Sequence, residues 1–179
     1  MKTKYLSILK YGRKINSAFL LNRSLFLPFE IEEFVEKKQF IEGYQELDYL
    51  NNSNNELQEF NDSRLSIMYL EIKYYLCSKL LKDADWASMS HSLELRTPFI
   101  DWFFFKEIIS IIKSDLKLNK SDMVECFNEK LPKNITKRKK TGFAIPHDFY
   151  LNKLLIKKNY PNSLRDWSIY SFKKYLENV

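Results

Sequence analysis

Apolar residues along this chain recur at steps of three and four, the spacing of amphipathic helices, and no segment alternates convincingly in the manner of a strand. The pattern predicts one helix over Lys4–Leu21, weakened at Gly12. It also predicts short helices over Glu30–Val35 and Phe40–Leu50, the second interrupted early by Gly43. The predicted fold class is therefore mainly α.

The clearest helix is predicted over Ser63–Leu81, where apolar side chains form one stripe expected to face the core. Asp62 or Ser63 is the expected N-cap, because a side-chain oxygen at that position accepts an unpaired backbone N–H. Cys77 lies on this segment and is predicted to be a small buried residue. Before the helix, the Asn51–Asn55 run favours a turn or loop, since such side chains bond their own backbone.

The second half of the chain continues the helical pattern. Trp102–Lys113 carries apolar side chains around most of its circumference and is predicted to be buried on most sides. A weaker helix is predicted over Leu118–Lys130 and a loop over Lys133–Ala144. Helices over His147–Leu155, started by the preceding proline, and over Asp166–Leu176 are predicted to end the chain.

Length and composition favour a single folded domain over residues 1–179. The chain is long enough for a sizeable core, and 45% of its residues are hydrophobic and 16% aromatic. Only three glycines occur, which favours helices over a turn-rich β fold. Two cysteines provide neither a disulfide framework nor a metal cluster, and no residue is predicted to bind a metal.

The sequence contains no apolar run that approaches a membrane span and no visible signal peptide, so we expect a cytoplasmic protein without a membrane partner. Its net charge is +6, and Lys113–Lys140 holds nine basic against four acidic residues. The run Lys137–Lys140 fits a solvated loop, a nucleic-acid surface or a phosphate site. No nucleic-acid motif or interleaved aromatic residue accompanies it, so no nucleic-acid partner is expected.

The densest group of polar residues is the signature stretch, defined as Asp83–Asp101. Asp83 or Asp85 is predicted to cap a short helix over Trp86–Ser92. Because Thr97 precedes a proline, Glu94–Thr97 is predicted to be extended or a turn. Asp101 is then the predicted N-cap of the next helix.

Glu94 and Arg96 point to the same side of an extended segment. Two interpretations of the signature stretch remain open on physical grounds. It is either a capped corner held by an ion pair, or a ligand site whose charged groups need partners.

Two blocks of sequence resemble the asparagine synthetase domain, a family of ATP-dependent amidotransferases. The first matches the family's L-L-x-D-x-D-x-x-S-M-A-H-S-L-E-x-R-x-P pattern, followed by [FL]-x-D, over Leu80–Asp101, with Ser90 where the family usually has Ala. The second, Lys120, Leu131-Pro132, Arg138–Phe143 and Ile145-Pro146, is similar to K…L-P…R-x-K-x-G-F-x-x-P. Phe19–Phe29 is also similar to a segment of asparagine synthetase-like proteins, and the signature region spans residues 63–150.

The resemblance implies a chemistry and a fold. The family activates a carboxylate with ATP to an acyl-adenylate, from which ammonia or another amine displaces AMP. In asparagine synthetase the small-molecule substrate is aspartate and the ammonia comes from glutamine. The chain would form the helical C-terminal portion of an α/β adenine-nucleotide-hydrolase-like domain, with ATP and Mg²⁺ as implied cofactors.

The resemblance also implies residue roles. Lys140 aligns with a family lysine that faces the ATP phosphates, and it is the catalytic candidate; Thr141-Gly142-Phe143 would anchor it. Asp83 and Asp85 would lie at the edge of the substrate or intermediate pocket. Glu94, Arg96 and Arg138 would form the supporting network.

The loops that bind the nucleotide in this family are absent from the sequence, since no two glycines are adjacent and S-G-G-x-D-S cannot be formed. The glutaminase half, with its N-terminal nucleophilic cysteine, is absent as well. We therefore expect a partial domain that works only with a separately encoded N-terminal synthetase and glutaminase part. The alternative is a non-catalytic helical interaction module, or a remnant of such an enzyme.

Overall fold

The computed structural model describes residues 7–114, 122, 132, 134, 138, 139 and 145–178, with only the backbone for Lys10. These residues are helical or irregular and include no strand, which confirms the mainly α prediction for this part of the chain. None of its helices is long and apolar enough to cross a bilayer. Predictions over residues 4–6, 115–121, 123–131, 133, 135–137 and 140–144 lie outside the described residues.

The helices in chain order are α1 (Ile8–Tyr11), α2 (Ile15–Arg23), α3 (Pro28–Ile31), α4 (Lys37–Leu47), α5 (Tyr49–Leu57), α6 (Ser63–Leu70), a π-helix (Glu71–Leu80), α7 (Leu81–Met89), a 3₁₀ turn (Pro98–Ile100), α8 (Trp102–Ser114), α9 (His147–Lys153) and α10 (Ser163–Leu176). They fall into two compact units. The first unit comprises Met1–Leu70 and Phe143–Val179, and the second unit comprises Glu71–Gly142.

Helix α2 is at the centre of the first unit and packs against α1, α5 and α6. Its Phe19 and Leu21 are buried, and Leu21 clusters with Tyr11 and Leu27. The single helix predicted over Lys4–Leu21 is in fact two. They separate after Gly12, where a Cβ atom would lie 2.6 Å from the Ile8 carbonyl oxygen. The predicted weak point at this glycine is confirmed.

Two predictions near α4 and α5 are wrong. Gly43 does not interrupt its helix, because α4 runs from Lys37 to Leu47. Asn51–Asn55 is not a loop but lies within α5. A buried side-chain contact explains the second difference: Asn16 Nδ2 of α2 donates to Leu50 O at 2.9 Å and to Ser53 Oγ at 3.0 Å. This tertiary contact overrides the low helix propensity of the Asn-rich segment.

The first and last parts of the first unit meet in the Arg165 clasp, defined as Phe26, Glu30, Tyr160 and Arg165. The Arg165 guanidinium donates to Glu30 Oε1 at 2.6 Å, and it lies 4.3 Å from the Phe26 ring centroid and 4.5 Å from that of Tyr160. The other oxygen of Glu30 accepts the Leu27 N–H at 2.8 Å. One carboxylate therefore caps α3 and anchors α10.

Helix α9 packs against α10. It starts directly after Pro146, as predicted, and ends at Lys153 with Leu151 fully buried. Asp148 on its exposed side accepts hydrogen bonds from Lys158 and from Ser163 Oγ. These two hydrogen bonds lower the pKa of Asp148 below its ordinary value. Helix α10 begins at Ser163, three residues earlier than predicted, with the Asn162 side chain as its N-cap.

The helix predicted over Ser63–Leu81 is α only as far as Leu70, and a π-helix follows over Glu71–Leu80. Asp62 caps α6 by accepting the N–H groups of Arg64 and Leu65, so this predicted cap is confirmed. The predicted apolar stripe, which begins with Leu65, Met68 and Ile72, is not the buried face: those three are half-buried, and the buried residues of α6 are Ser66 and Leu70. Cys77 is exposed on the π-helix, contrary to its predicted burial. A π-helix has more residues per turn than the 3.6 that the prediction assumed, so its side chains are distributed differently around the helix axis.

Helix α8 covers the predicted Trp102–Lys113 and extends to Ser114. Its predicted burial on most sides is wrong, because it contains no buried residue and Trp102, Phe103 and Ile111 are exposed. Indeed, none of the second unit's described residues is buried. Apolar composition around a helix predicts burial only when other elements are present to cover it.

Candidate functional site

The signature stretch begins inside helix α7, which starts at Leu81. Asp83 and Asp85 therefore lie within the helix and do not cap one that starts at Trp86, so the predicted capping role is wrong. Asp83 forms an ion pair with Lys79, with its carboxylate oxygen 3.2 Å from Nζ. Positions two apart on an α-helix point to different sides, and Asp85 instead lines a shallow cavity of about 370 Å³.

After α7 the chain turns through Ser92, whose φ of 57° is in the left-handed region. Residues 93–97 have no regular secondary structure, and Thr97 is extended with φ −117° and ψ 95°. The predicted extended segment before Pro98 is thereby confirmed. Glu94 and Arg96 pair with each other: Arg96 Nε lies 3.0 Å from Glu94 Oε1, and Arg96 Nη2 lies 3.2 Å from Glu94 Oε2.

This bidentate pair agrees with the interpretation of the signature stretch as a corner held by an ion pair. Both side chains are largely exposed, so the pair contributes only modestly to the stability of this corner.

Two neighbouring cavities flank the segment that follows this pair. The cavity beside Asp85 is also lined by Leu81, Lys82, Ala84, Leu95, Thr97 and Ile100. The second cavity, of about 630 Å³, is lined by Arg96, Thr97, Pro98, Ile100, Asp101 and Phe104. Thr97 and Ile100 line both, although the sequence indicated Thr97 only as a backbone position and Ile100 not at all. The second cavity is shallow and open, and all of its lining residues except Phe104 are exposed.

Asp101 fixes the start of α8, as predicted. Its Oδ1 accepts the N–H groups of Phe103 at 3.0 Å and Phe104 at 3.1 Å. Aromatic side chains flank this cap in the sequence. Phe99 and Phe104 make an edge contact, and Lys106 Nζ lies 5.1 Å from the Trp102 ring centroid. The aromatic groups next to the second cavity are thus held by a well-defined helix start.

Large apolar side chains are exposed along the signature stretch and the start of α8. We name this set the signature patch: Trp86, Met89, Leu93, Leu95, Phe99, Ile100, Trp102 and Phe103. Glu94, Arg96 and Asp101 lie among these residues in the sequence, Asp85 directly precedes them, and all four polar candidates are exposed as well. In the described part of the second unit, the polar candidates are therefore open to water.

The structure describes only part of the second sequence block, which contains Arg138–Phe143. Lys140, the catalytic candidate, and the Thr141-Gly142-Phe143 anchor lie outside the described residues. Arg138 and Lys139 are described and exposed. The structure thus brings Glu94 and Arg96 together and places Asp85 and Arg96 in adjacent cavities. It turns Asp83 toward Lys79, and the proposed roles of Lys140 and Arg138 stay predictions.

A metal site is not formed by the residues that the structure describes, among which no three or more His, Cys, Asp or Glu side chains are grouped to hold an ion. In particular, the two aspartates of α7 do not converge, and Lys79 already neutralises one of them. These residues do not fit Mg²⁺.

Comparison with known proteins gives a family-level match. The profile of the family described as asparagine synthase matches residues 9–166, which include both sequence blocks and Phe19–Phe29. Among curated proteins, the chain is 28% identical over 105 residues to "Asparagine synthetase [glutamine-hydrolyzing] 1" of Bacillus subtilis (strain 168). That alignment covers 56% of this chain and 15% of the relative.

The chain therefore spans only about 15% of the length of the curated relative that it matches. No solved structure matches the chain significantly. The helical character of the described residues agrees with a helical portion of the family's domain, and the α/β parent fold stays a prediction.

Proposed function

The chain belongs to the asparagine synthase family, and on that premise we propose that it is the C-terminal segment of an ATP-dependent amidotransferase. In the proposed reaction the carboxylate of aspartate attacks the α-phosphorus of ATP, and pyrophosphate leaves. Ammonia, taken from glutamine or from solution, then attacks the acyl carbon and displaces AMP to give asparagine. The observation that carries this proposal is the family match across both polar blocks, over residues 9–166.

The candidate residues would have different roles in this reaction. Lys140 would face the phosphates, where a fixed positive charge stabilises the charge that develops on departing pyrophosphate. Asp85 is the better placed of the two aspartates for the pocket edge, because it lines a cavity while Asp83 is paired with Lys79. Glu94 and Arg96 would form the supporting network beside the second cavity, which Arg96 lines, and Arg138 would support the predicted loop Lys133–Ala144 that carries Lys140.

ATP enters this proposal as a substrate, and the open cavity beside Arg96 would hold part of it only once another part of the enzyme encloses it. The described residues do not provide a magnesium site, so no step is assigned to this metal. An acyl-adenylate also has to be protected from water. Since the described polar candidates are exposed, the segment is proposed to be inactive until another part of the enzyme covers it.

The experiment measures AMP release and ATP–pyrophosphate exchange with aspartate, glutamine and Mg²⁺. The chain is assayed alone and mixed with a truncated relative, defined as the Bacillus subtilis synthetase lacking the residues that align with this chain. We expect no activity from the chain alone and activity from the mixture. AMP release by the chain alone, above that of its Lys140→Ala variant, would contradict the split arrangement.

Three substitutions test the role of Lys140 in the mixture. Lys140→Ala is expected to lower the turnover number by about 10²–10³, the effect of removing a positioned charge from a transition state. Lys139→Ala, the matched control, should change it little, because an exposed lysine is screened. Lys140→Arg should also be slow, since Arg keeps the charge without the compact ammonium geometry. Equal small losses at both positions would remove the catalytic assignment.

The alternative, a non-catalytic interaction module, is favoured by one observation, the exposed signature patch. Binding of the truncated relative without any AMP release would support this alternative over the ligase.

A further inference from the structure

Helix α9 ends in a turn that holds a leucine in an unfavourable backbone conformation; we name Lys153–Lys158 the α9 turn. The N–H groups of Leu155 and Ile156 donate to Asn152 O at 3.1 Å and to Leu151 O at 2.9 Å. This pair of hydrogen bonds forms a Schellman motif, in which the residue at the position of Leu155 is left-handed and usually glycine. Leu155 has a φ of 55°, a conformation that its Cβ atom makes costly.

The side chain of Leu155 gains no burial in return for this strain. It is 92% exposed, and the neighbouring Leu154 is 47% exposed. Two aromatic side chains of α9, Phe149 and Tyr150, are exposed as well. Glycine in place of Leu155 would remove both the backbone strain and the exposed apolar surface. The fold of the turn therefore does not explain why a leucine stands there.

Lysines flank the exposed leucines in the sequence. Lys153, Lys157 and Lys158 are all exposed, and residues 149–165 contain no acidic residue. Lys158 pairs with Asp148. Among the residues that the structure describes, Lys153 and Lys157 form no ion pair. The α9 turn thus combines apolar side chains with positive charge that is not neutralised locally.

The carboxylates that border this basic segment are already engaged. Asp148 accepts hydrogen bonds from Lys158 and from Ser163 Oγ. Asp166 is only 4% exposed and accepts the N–H groups of Asn159 and Tyr160. Neither carboxylate is available to repel an anionic surface that approaches the turn.

Leucines flanked by lysines suit the surface of an anionic bilayer better than the surface of a protein. Lysine is depleted in protein interfaces, where Tyr, Trp and Arg are enriched. At a bilayer, long lysine side chains keep their ammonium groups among the headgroups while neighbouring apolar side chains enter the acyl boundary. The Schellman hydrogen bonds also satisfy the N–H groups of Leu155 and Ile156, which lowers the cost of moving the turn out of water.

We propose that the α9 turn is a reversible contact site for an anionic lipid surface. Leu154 and Leu155 would enter the acyl boundary, and Lys153 and Lys157 would lie among the headgroups. The expected absence of a membrane partner followed from the lack of a spanning segment, whereas a turn at the headgroup level needs no span. The site goes beyond the proposed function and does not depend on it.

The test measures binding of the full 179-residue chain to phosphatidylcholine vesicles with and without phosphatidylglycerol by co-sedimentation. Binding is expected only to the vesicles with phosphatidylglycerol, and it should weaken as NaCl is raised, because salt screens the lysines. Leu155→Ala should weaken it by at least about tenfold, since most of a buried apolar side chain is lost. Lys153→Gln and Lys157→Gln should each weaken it by about fivefold.

Leu47→Ala is the matched control for Leu155→Ala. Leu47 lies at the end of α4 in the same unit and is 66% exposed, but its neighbours Glu46 and Asp48 are acidic. The same change at this position should alter vesicle binding by less than about twofold, because acidic neighbours are repelled by anionic headgroups.

Leu155→Gly separates lipid binding from folding. Glycine accepts the left-handed conformation without strain, so the midpoint of urea unfolding should stay the same or rise. Vesicle binding should nevertheless fall at least as much as for Leu155→Ala, because the whole side chain is removed. A fall in binding with an intact fold assigns the contact to the side chain.

A fluorescent label locates the contact. The chain has two cysteines, so a Cys77→Ser, Cys126→Ser, Leu155→Cys variant carries a single thiol for a bimane label. Its emission should shift to shorter wavelength when vesicles with phosphatidylglycerol are added, and spin-labelled acyl chains should quench it. The same label at Leu47→Cys should show neither change.

Several results would overturn the proposal. They are the absence of vesicle binding, equal binding to both kinds of vesicle, equal losses for Leu155→Ala and Leu47→Ala, and unchanged emission of the label at position 155. Binding to the truncated relative that Leu155→Ala weakens, without vesicle binding, would also overturn it by assigning the turn to a protein partner.

Discussion

Arg165 in the first unit and Arg96 in the second unit each pair with a glutamate, but their surroundings differ. Arg165 reaches Glu30 across 135 residues of sequence, and the two side chains are only 20% and 15% exposed. Arg96 reaches Glu94 two residues away, and these side chains are 84% and 69% exposed. One pair connects distant segments in a shielded place, whereas the other orders a local turn in water.

The same difference holds for apolar residues. Leu27, Leu70 and Leu151 are buried in the first unit, whereas Leu93 and Leu95 of the second unit are exposed. Both units have the helical pattern of apolar residues, so the pattern alone does not decide burial. What decides it is whether other elements pack on the apolar face: α2 has α1, α5 and α6 around it.

The largest effect expected from this comparison concerns two leucines. Leu151→Ala in α9 should lower the free energy of unfolding by about 2–5 kcal/mol, since it removes a fully buried side chain and leaves a cavity. Leu93→Ala, the same change at a 63% exposed position, should lie within about 0.5 kcal/mol of the parent. Urea unfolding followed by circular dichroism measures both. Similar losses at the two positions would mean that Leu93 is covered in solution.

The two arginines give the next largest effect. Arg165→Ala should cost about 2–3 kcal/mol, because it leaves Glu30 partly buried without its partner and removes the contacts with Phe26 and Tyr160. Arg96→Ala should cost less than about 1 kcal/mol, as for an exposed pair. Urea unfolding at low and high NaCl provides the measurement, since salt screens the exposed pair and has less effect on the shielded one. A smaller loss for Arg165→Ala than for Arg96→Ala would reverse the comparison.

Local signals in the sequence predicted local structure well. Asp62 and Asp101 as caps, the extended segment before Pro98, the break at Gly12 and the helix start after Pro146 are all confirmed. Each depends on a neighbouring backbone group within a few residues. The resemblance is confirmed at the level of the family, because the asparagine synthase profile matches residues 9–166.

Predictions that needed long-range contacts were less successful. The helix at Asn51–Asn55 depends on Asn16, which is distant in sequence, and no periodicity signals that contact. The Arg165 clasp was not predicted for the same reason. The exposed side chains of Cys77 and Phe103 contradict the burial inferred from apolar neighbours. Cys77 lies on a π-helix, whose side chains do not follow the assumed periodicity, and no described element of the unit covers Phe103. The roles of Lys140 and Arg138 depend on groups beyond those described.

The smallest expected effect compares two caps of the same kind. Asp62 accepts the N–H groups of Arg64 at 2.8 Å and Leu65 at 3.0 Å, and Asp101 accepts those of Phe103 and Phe104. Replacing either aspartate with alanine should cost about 1 kcal/mol of local helix stability. The consequences should differ, because α6 packs against α2 within a core, whereas α8 has no buried residue.

Asp62→Ala should therefore lower the global free energy of unfolding, since fraying of α6 disturbs contacts that the whole first unit shares. Asp101→Ala should leave that energy nearly unchanged and instead speed amide exchange at Phe103 and Phe104. Hydrogen exchange with urea unfolding measures both, and Asp→Asn at each position is the control, because Asn is about as good a cap as Asp. An equal global loss for Asp101→Ala would mean that α8 unfolds together with a packed core. In that case the two units would differ in the exposure of their side chains, but both would unfold cooperatively.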